Sequence, residues 1–133
     1  MRVLALDYGA ARCGCAISDP TGILARPLPV IEPPDPRAVA ELVAEHGVEL
    51  IVVGLPVGLR GDESAQAGIV RGFRDEVANL VEVPVETYDE RLTTKLAERT
   101  ARSGASAAED SIAAAHILES YLQSRSPDRE DAE

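Results

Sequence analysis

The stretch Val48-Glu49-Leu50-Ile51-Val52-Val53 is an apolar run broken by a single charge, the mark of a strand covered on both faces. A strand of that kind needs helices above and below its sheet, which restricts the chain to layered α/β architectures. The neighbouring segments supply the other parts. Arg2 to Asp7 is a short apolar run ending at Tyr8-Gly9, and Arg12 to Ser18 reads as a second strand closed by the turn Asp19-Pro20-Thr21-Gly22. A third strand covers Ile23 to Ile31, with Pro27 and Pro29 placing it at a sheet edge. Connections this short predict an antiparallel meander.

Pro33-Pro34-Asp35-Pro36 then starts a helix, Asp35 as its cap and Pro36 at its first position, with Val39, Leu42 and Val43 on one side and Gly47 as the stop. After Val53, Gly54-Leu55-Pro56 ends the buried strand and opens a Gly-rich loop to Gly61. A second helix is predicted from about Asp62 to Leu80, its apolar side made of Ile69, Val70, Phe73, Val77 and Leu80. Val83 to Tyr88 is a fifth strand, Thr93 to Arg102 a third helix, and Ser106 with Glu109 forms a capping box for a last helix ending near Leu122. This order predicts a five-stranded mixed sheet, meander first and parallel strands after it, flanked by helices. No repeat or linker divides it, so residues 1–124 are read as one domain and 125–133 as an acidic disordered tail.

Carboxylates sit oddly at three places in this pattern. Asp7 ends an apolar strand beside a glycine, where open α/β sheets place ligands. Asp89 and Glu90 follow directly on the last strand. Asp110 has Ala114 and Ile117 at i+4 and i+7, so it shares the apolar face of the final helix, a costly place for a carboxylate without a partner or a metal. Asp7, Glu90 and Asp110 can converge on a hard cation, Mg2+ or Mn2+, and two such ions hydrolyse phosphodiesters. The plainer roles are turn capping for Asp7, pairing with Arg91 for Asp89 and Glu90, and a favourable helix-terminus charge for Asp110.

The chain has 133 residues and a formal net charge of −10, which argues against nucleic acid unless positive charge is concentrated locally. Local concentration is what the sequence offers. Arg91, Lys95, Arg99 and Arg102 recur at helical spacing after Glu90, and Arg12, Arg60, Arg71 and Arg74 add charge near the first hairpin, the Gly-rich loop and the second helix. A solvated face with internal ion pairs would look the same, but beside three acids the stripe makes sense as a phosphate track. Cys13 and Cys15 would face one side of a strand as reduced core residues. His46 suits a helix C-terminus and His116 reads as packing or surface. No run is long enough to span a membrane, and the start does not read as a secretory signal, so a cytoplasmic protein is expected.

The pattern Leu6-Asp7-Tyr8-Gly9, then Arg12, Gly14, Ala16 and Ser18-Asp19-Pro20, resembles the YqgF-type, Holliday-junction-resolvase-like family. So do Val53-Gly54-Leu55-Pro56 with Gly61, Asp89-Glu90-Arg91-Leu92-Thr93-Thr94, and Asp110 with Ala113, Ala114, Ile117 and Leu118. The resemblance implies a ribonuclease H-like fold and a metal-dependent nuclease, either maturing the 5′ end of pre-16S rRNA in ribosome biogenesis or resolving four-way DNA junctions. It carries Asp7, Glu90 and Asp110 over as the metal-binding acids, with Asp89 as an alternative to Glu90. Gly58 departs from the family pattern, which has an Asn near that place. That departure keeps a third reading alive, a structured nucleic-acid binder without turnover. A nucleotide-clamping ATPase begins with a similar strand and turn but needs two such domains, and no G-x-x-x-x-G-K-[ST] loop is present. Oligomeric state stays open, a homodimer suiting a junction substrate.

Overall fold

A computed structural model describes residues 1–56, 65–92 and 107–125, with 107–110 as backbone only. The described residues form five strands, β1 (Val3–Tyr8), β2 (Cys13–Ser18), β3 (Ala25–Ile31), β4 (Leu50–Leu55) and β5 (Val85–Asp89), and three helices, α1 (Pro36–His46), α2 (Ala65–Ala78) and α3 (Ala107–Ser124). The predicted third helix, the Ser106–Glu109 capping box, the loop holding Gly58 and residues 126–133 lie outside the described residues.

Strand order is β3-β2-β1-β4-β5. The first three pair antiparallel, and β1, β4 and β5 run parallel, so the mixed sheet follows the pattern of the sequence. β3 sits at the edge, where Pro27 and Pro29 leave no interior ladder bond unmade. Local punctuation sets the boundaries. Asp35 Oδ1 accepts the Arg37 amide at 2.9 Å, and Gly47 closes α1 at φ 65°, ψ 41°. Gly22 N–H donates to the Asp19 carbonyl at 2.9 Å, closing the turn between β2 and β3.

Alternation along the strands builds two core layers. Leu4 and Leu6 of β1, Cys13, Cys15 and Ile17 of β2, and Ile51, Val53 and Leu55 of β4 face α1 and α2. Val3, Ala5, Ala16, Leu50 and Val52 face the opposite way, toward Ala114, Ala115, Ile117, Leu118 and Tyr121 of α3. Both cysteines are free and fully buried on one face. The hydrogen bond to Cys15, together with burial, pushes the Cys13 thiol well above its ordinary range.

Several details differ from the sequence reading: β3 begins at Ala25, β5 spans Val85–Asp89, and the last helix runs to Ser124. β4 continues through Gly54 to Leu55, because Gly54 and Leu55 pair with Tyr88 and Asp89 of β5. The buried side of α2 is Ala67, Val70, Phe73 and Val77, while Ile69 and Leu80 are exposed. The small Ala67 meets the sheet, and the face of α2 is rotated away from Ile69 accordingly.

Candidate active site

Because β1, β4 and β5 are parallel, their C-terminal ends share one edge of the sheet, and Asp7 and Glu90 both lie there. Asp7 has the parity of Val3 and Ala5, so it stands on the α3 side of β1, opposite Gly14 in the β1–β2 ladder. Glu90 follows β5 in a single 3-10 turn, Glu90–Leu92. It has the parity of Tyr88, which packs on the α3 layer, whereas Asp89 has the opposite parity.

Sheet order puts β4 between these two acids, and the residue in between is Gly54. A Cβ built on Gly54 would stand 3.0 Å from Glu90 Oε1, 3.3 Å from Glu90 Cγ and 2.7 Å from Ile117 Cδ1. Glu90 therefore lies across the bare backbone of β4, and its carboxyl makes a hydrogen bond with Asp7. Burial pushes the Glu90 carboxyl above the usual carboxylate range, the charge of Asp89 adds to this, and the bond to Asp7 works against it. Two carboxyls this close do not both stay ionised without a counter-charge, which a shared proton or a cation supplies. A hard divalent cation suits an all-oxygen donor set held this way.

Asp89 is engaged elsewhere. Its Oδ1 accepts the Arg91 amide at 2.8 Å, and its two oxygens take Arg91 Nε at 3.1 and 3.0 Å and Nη2 at 2.7 Å. The bidentate pair, a fork-to-fork geometry, holds Asp89 below its ordinary pKa. Arg91 belongs to this turn and is paired with Asp89. Lys95, Arg99, Arg102 and Arg60 lie outside the described residues. Arg12 sits where the β1–β2 hairpin turns, next to the site edge, with Nε 3.0 Å from Glu32 Oε2.

Asp110 lies near the N-terminus of α3, one residue before Ser111, and its side chain is outside the described residues. Ser111 anchors that end of the helix: its buried hydroxyl donates to the Leu28 carbonyl at 2.6 Å and accepts the Cys15 amide at 3.4 Å. Among the described residues no three His, Cys, Asp or Glu side chains come together as a metal cluster. His116 Nδ1 lies 4.0 Å from Glu119 Oε2, and His46 ends α1. The sequence reading missed Gly54 as a site residue. An isolated glycine inside a strand is the available signal, since it marks close approach of another group to the backbone.

A family model described as RuvX, Holliday junction resolvase, matches residues 1–124. A protein of Chloroflexus aurantiacus is 43% identical over 134 residues, covering 92% of this chain and 87% of that protein. One of Desulforudis audaxviator is 39% identical over 139 residues, covering 97% and 99%. Both carry the name of a candidate pre-16S rRNA nuclease. Among solved structures, T. thermophilus RuvC in complex with a Holliday junction substrate superposes with a TM-score of 0.61 at 18% identity, covering 95% of this chain and 97% of that one, a likeness of fold that makes the sheet ribonuclease H-like. With the family model matching residues 1–124 and relatives at 43% and 39% identity covering 92% and 97% of it, the chain belongs to the RuvX Holliday junction resolvase family.

Proposed function

We propose that this chain is an endonuclease that hydrolyses phosphodiester bonds in structured nucleic acid, with the 5′ end of pre-16S rRNA as its substrate. The observation that carries the reading is the meeting of the Asp7 and Glu90 carboxyls across Gly54 at the C-terminal edge of the sheet. Asp110, on the helix that packs over that face, is the third acid of the proposal, and the three together would hold Mg2+ or Mn2+. When bound, such a cation supplies an activated water and stabilises the leaving oxygen of a phosphodiester. The protein contributes a pair of oxygen donors, Asp7 on β1 and Glu90 in the 3-10 turn after β5. Arg12, Arg60, Arg91, Lys95, Arg99 and Arg102 would meet the substrate phosphates. A chain that trims ribosomal RNA precursors works in the cytoplasm, and no helix among the described residues is long and apolar enough to cross a membrane.

The family description favours a second substrate, the four-way DNA junction. The two are separated by incubating the protein with a labelled pre-rRNA 5′ fragment and a labelled four-way junction, in Mg2+, in Mn2+ and in chelator, alongside Asp7→Asn. Metal-dependent cutting lost in Asp7→Asn supports the nuclease, and the preferred substrate decides between RNA and DNA. Binding of either without cutting in any metal overturns the enzyme reading in favour of a binding module.

A further inference from the structure

The turn that carries Glu90 is tied to α3 by a chain of hydroxyls. Ser120 Oγ donates to the Leu92 carbonyl at 3.0 Å, and the Tyr88 hydroxyl lies 2.7 Å from the same Oγ. Serine has one proton to give. With that proton on Leu92, Tyr88 is the donor to Ser120. Tyr88 is held in place by edge-on packing against Tyr121, with ring centroids 5.7 Å apart and planes at 85°. Tyr121 in turn donates to Glu86 Oε1 at 3.1 Å and accepts Arg125 Nη1 at 2.6 Å. The C-terminal half of α3 is thereby bound to β5 at Glu86 and Tyr88 and to the following turn at Leu92. At the start of the turn, Asp89 fixes the Arg91 amide. Glu90 is the residue between these two anchors.

We propose that Tyr88 and Ser120 are positioning residues for Glu90. The relay from the Tyr88 hydroxyl through the Ser120 hydroxyl to the Leu92 carbonyl fixes the 3-10 turn, so that the Glu90 carboxyl stays across Gly54 against Asp7. One helix then governs both ends of the site, since α3 carries Asp110 near its N-terminus and Ser120 three turns later. Neither Tyr88 nor Ser120 has to touch the substrate for this role. The proposal rests on the nuclease reading for its effect on turnover, and on geometry alone for its effect on the turn.

The test uses Ser120→Ala, Tyr88→Phe and the hydroxyl-retaining Ser120→Thr, with two measurements. In cleavage assays the first two lower kcat about 10- to 100-fold, the usual size for loss of a group that orients a ligand residue. Affinity for uncleaved substrate in chelator changes by less than about twofold, because no substrate contact is lost. Ser120→Thr restores most of kcat. In hydrogen exchange, the amides of Arg91 and Leu92 exchange faster in Ser120→Ala and Tyr88→Phe, while those of Leu4 and Leu6 in β1 keep their protection. Unchanged exchange at Arg91 and Leu92 overturns the relay, as does a loss of protection spread through β1, which would mark a general structural role. Normal kcat in both variants of an active wild type also overturns it. If the wild-type chain cuts nothing, the nuclease reading falls and the exchange measurement alone decides the relay.

Discussion

Glu90 reaches Asp7 because nothing grows from the Cα of residue 54. The two acids stand at the ends of strands that are not neighbours, Asp7 in β1 and Glu90 just past β5, and the gap between them is covered by a side chain lying over a glycine. Gly54→Ala tests how much the site depends on that gap. The new methyl would meet Ile117 Cδ1 at 2.7 Å and Glu90 Oε1 at 3.0 Å. Both contacts are the far ends of flexible side chains, so the fold adjusts at a cost of about 1–3 kcal/mol in urea unfolding. The adjustment moves Glu90 off Asp7. A misplacement of about 1 Å in a reacting constellation costs on the order of 100-fold in rate, so kcat is expected to fall far more than stability does. A Gly54→Ala protein that cuts at the wild-type rate would show that the pairing of Asp7 with Glu90 is not needed for the chemistry.

At the scale of the elements, the β2–β3 turn shows how closely a local sequence can dictate structure. Asp19 accepts the Ile23 and Leu24 amides on Oδ1, at 2.8 and 2.9 Å, and the Thr21 hydroxyl on Oδ2. These donors, the Thr21 hydroxyl first, hold the Asp19 carboxyl well below the usual carboxylate range. The sign follows from the depressed pKa: the charged form is favoured in the folded state, so its contribution is full above the unfolded pKa near 4 and is lost as pH falls toward the folded value. Wild type should therefore melt above Asp19→Asn by a constant margin from neutral pH to about 4, and the margin should shrink on further acidification. A margin that disappears between pH 8 and 6 would contradict this account. The same locality explains what the sequence made legible. Asp35-Pro36, Gly47 and the Asp19 turn are set by neighbours a few residues away, and Pro27 and Pro29 marked the edge strand. Non-local features were not readable. β4 outlasts Gly54 because β5 offers partners to Gly54 and Leu55, and the exposure of Ile69 and Leu80 depends on how α2 lies on the sheet. Asp7 and Glu90 were visible as acids at strand ends. The bridge at Gly54 and the bond from Tyr88 to Ser120, residues 32 apart, leave no mark in one dimension.

For the whole molecule the governing quantity is a charge of −10 on a protein proposed to hold a polyanion. Its attraction for nucleic acid must come from a few guanidinium and ammonium groups working against a repulsive background. Part of that background lies in residues 126–133, where Asp128, Glu130, Asp131 and Glu133 outnumber Arg129 and contribute −3. Deleting these eight residues would bring the chain from −10 to −7 while leaving every described residue in place. Repulsion between exposed charges acts over the Debye length, about 30 Å at 0.01 M salt and about 3 Å at 1 M. The deletion is accordingly expected to tighten binding at low salt and to make no difference near 1 M. Arg91→Ala should act in the opposite direction, weakening binding on every sequence and lowering the salt slope by about one. Both are measured by equilibrium binding across a salt series, in an Asp7→Asn background with chelator so that no substrate is cut. If the deletion weakens binding at low salt, residues 126–133 contribute attractive contacts that outweigh the repulsion of their charge.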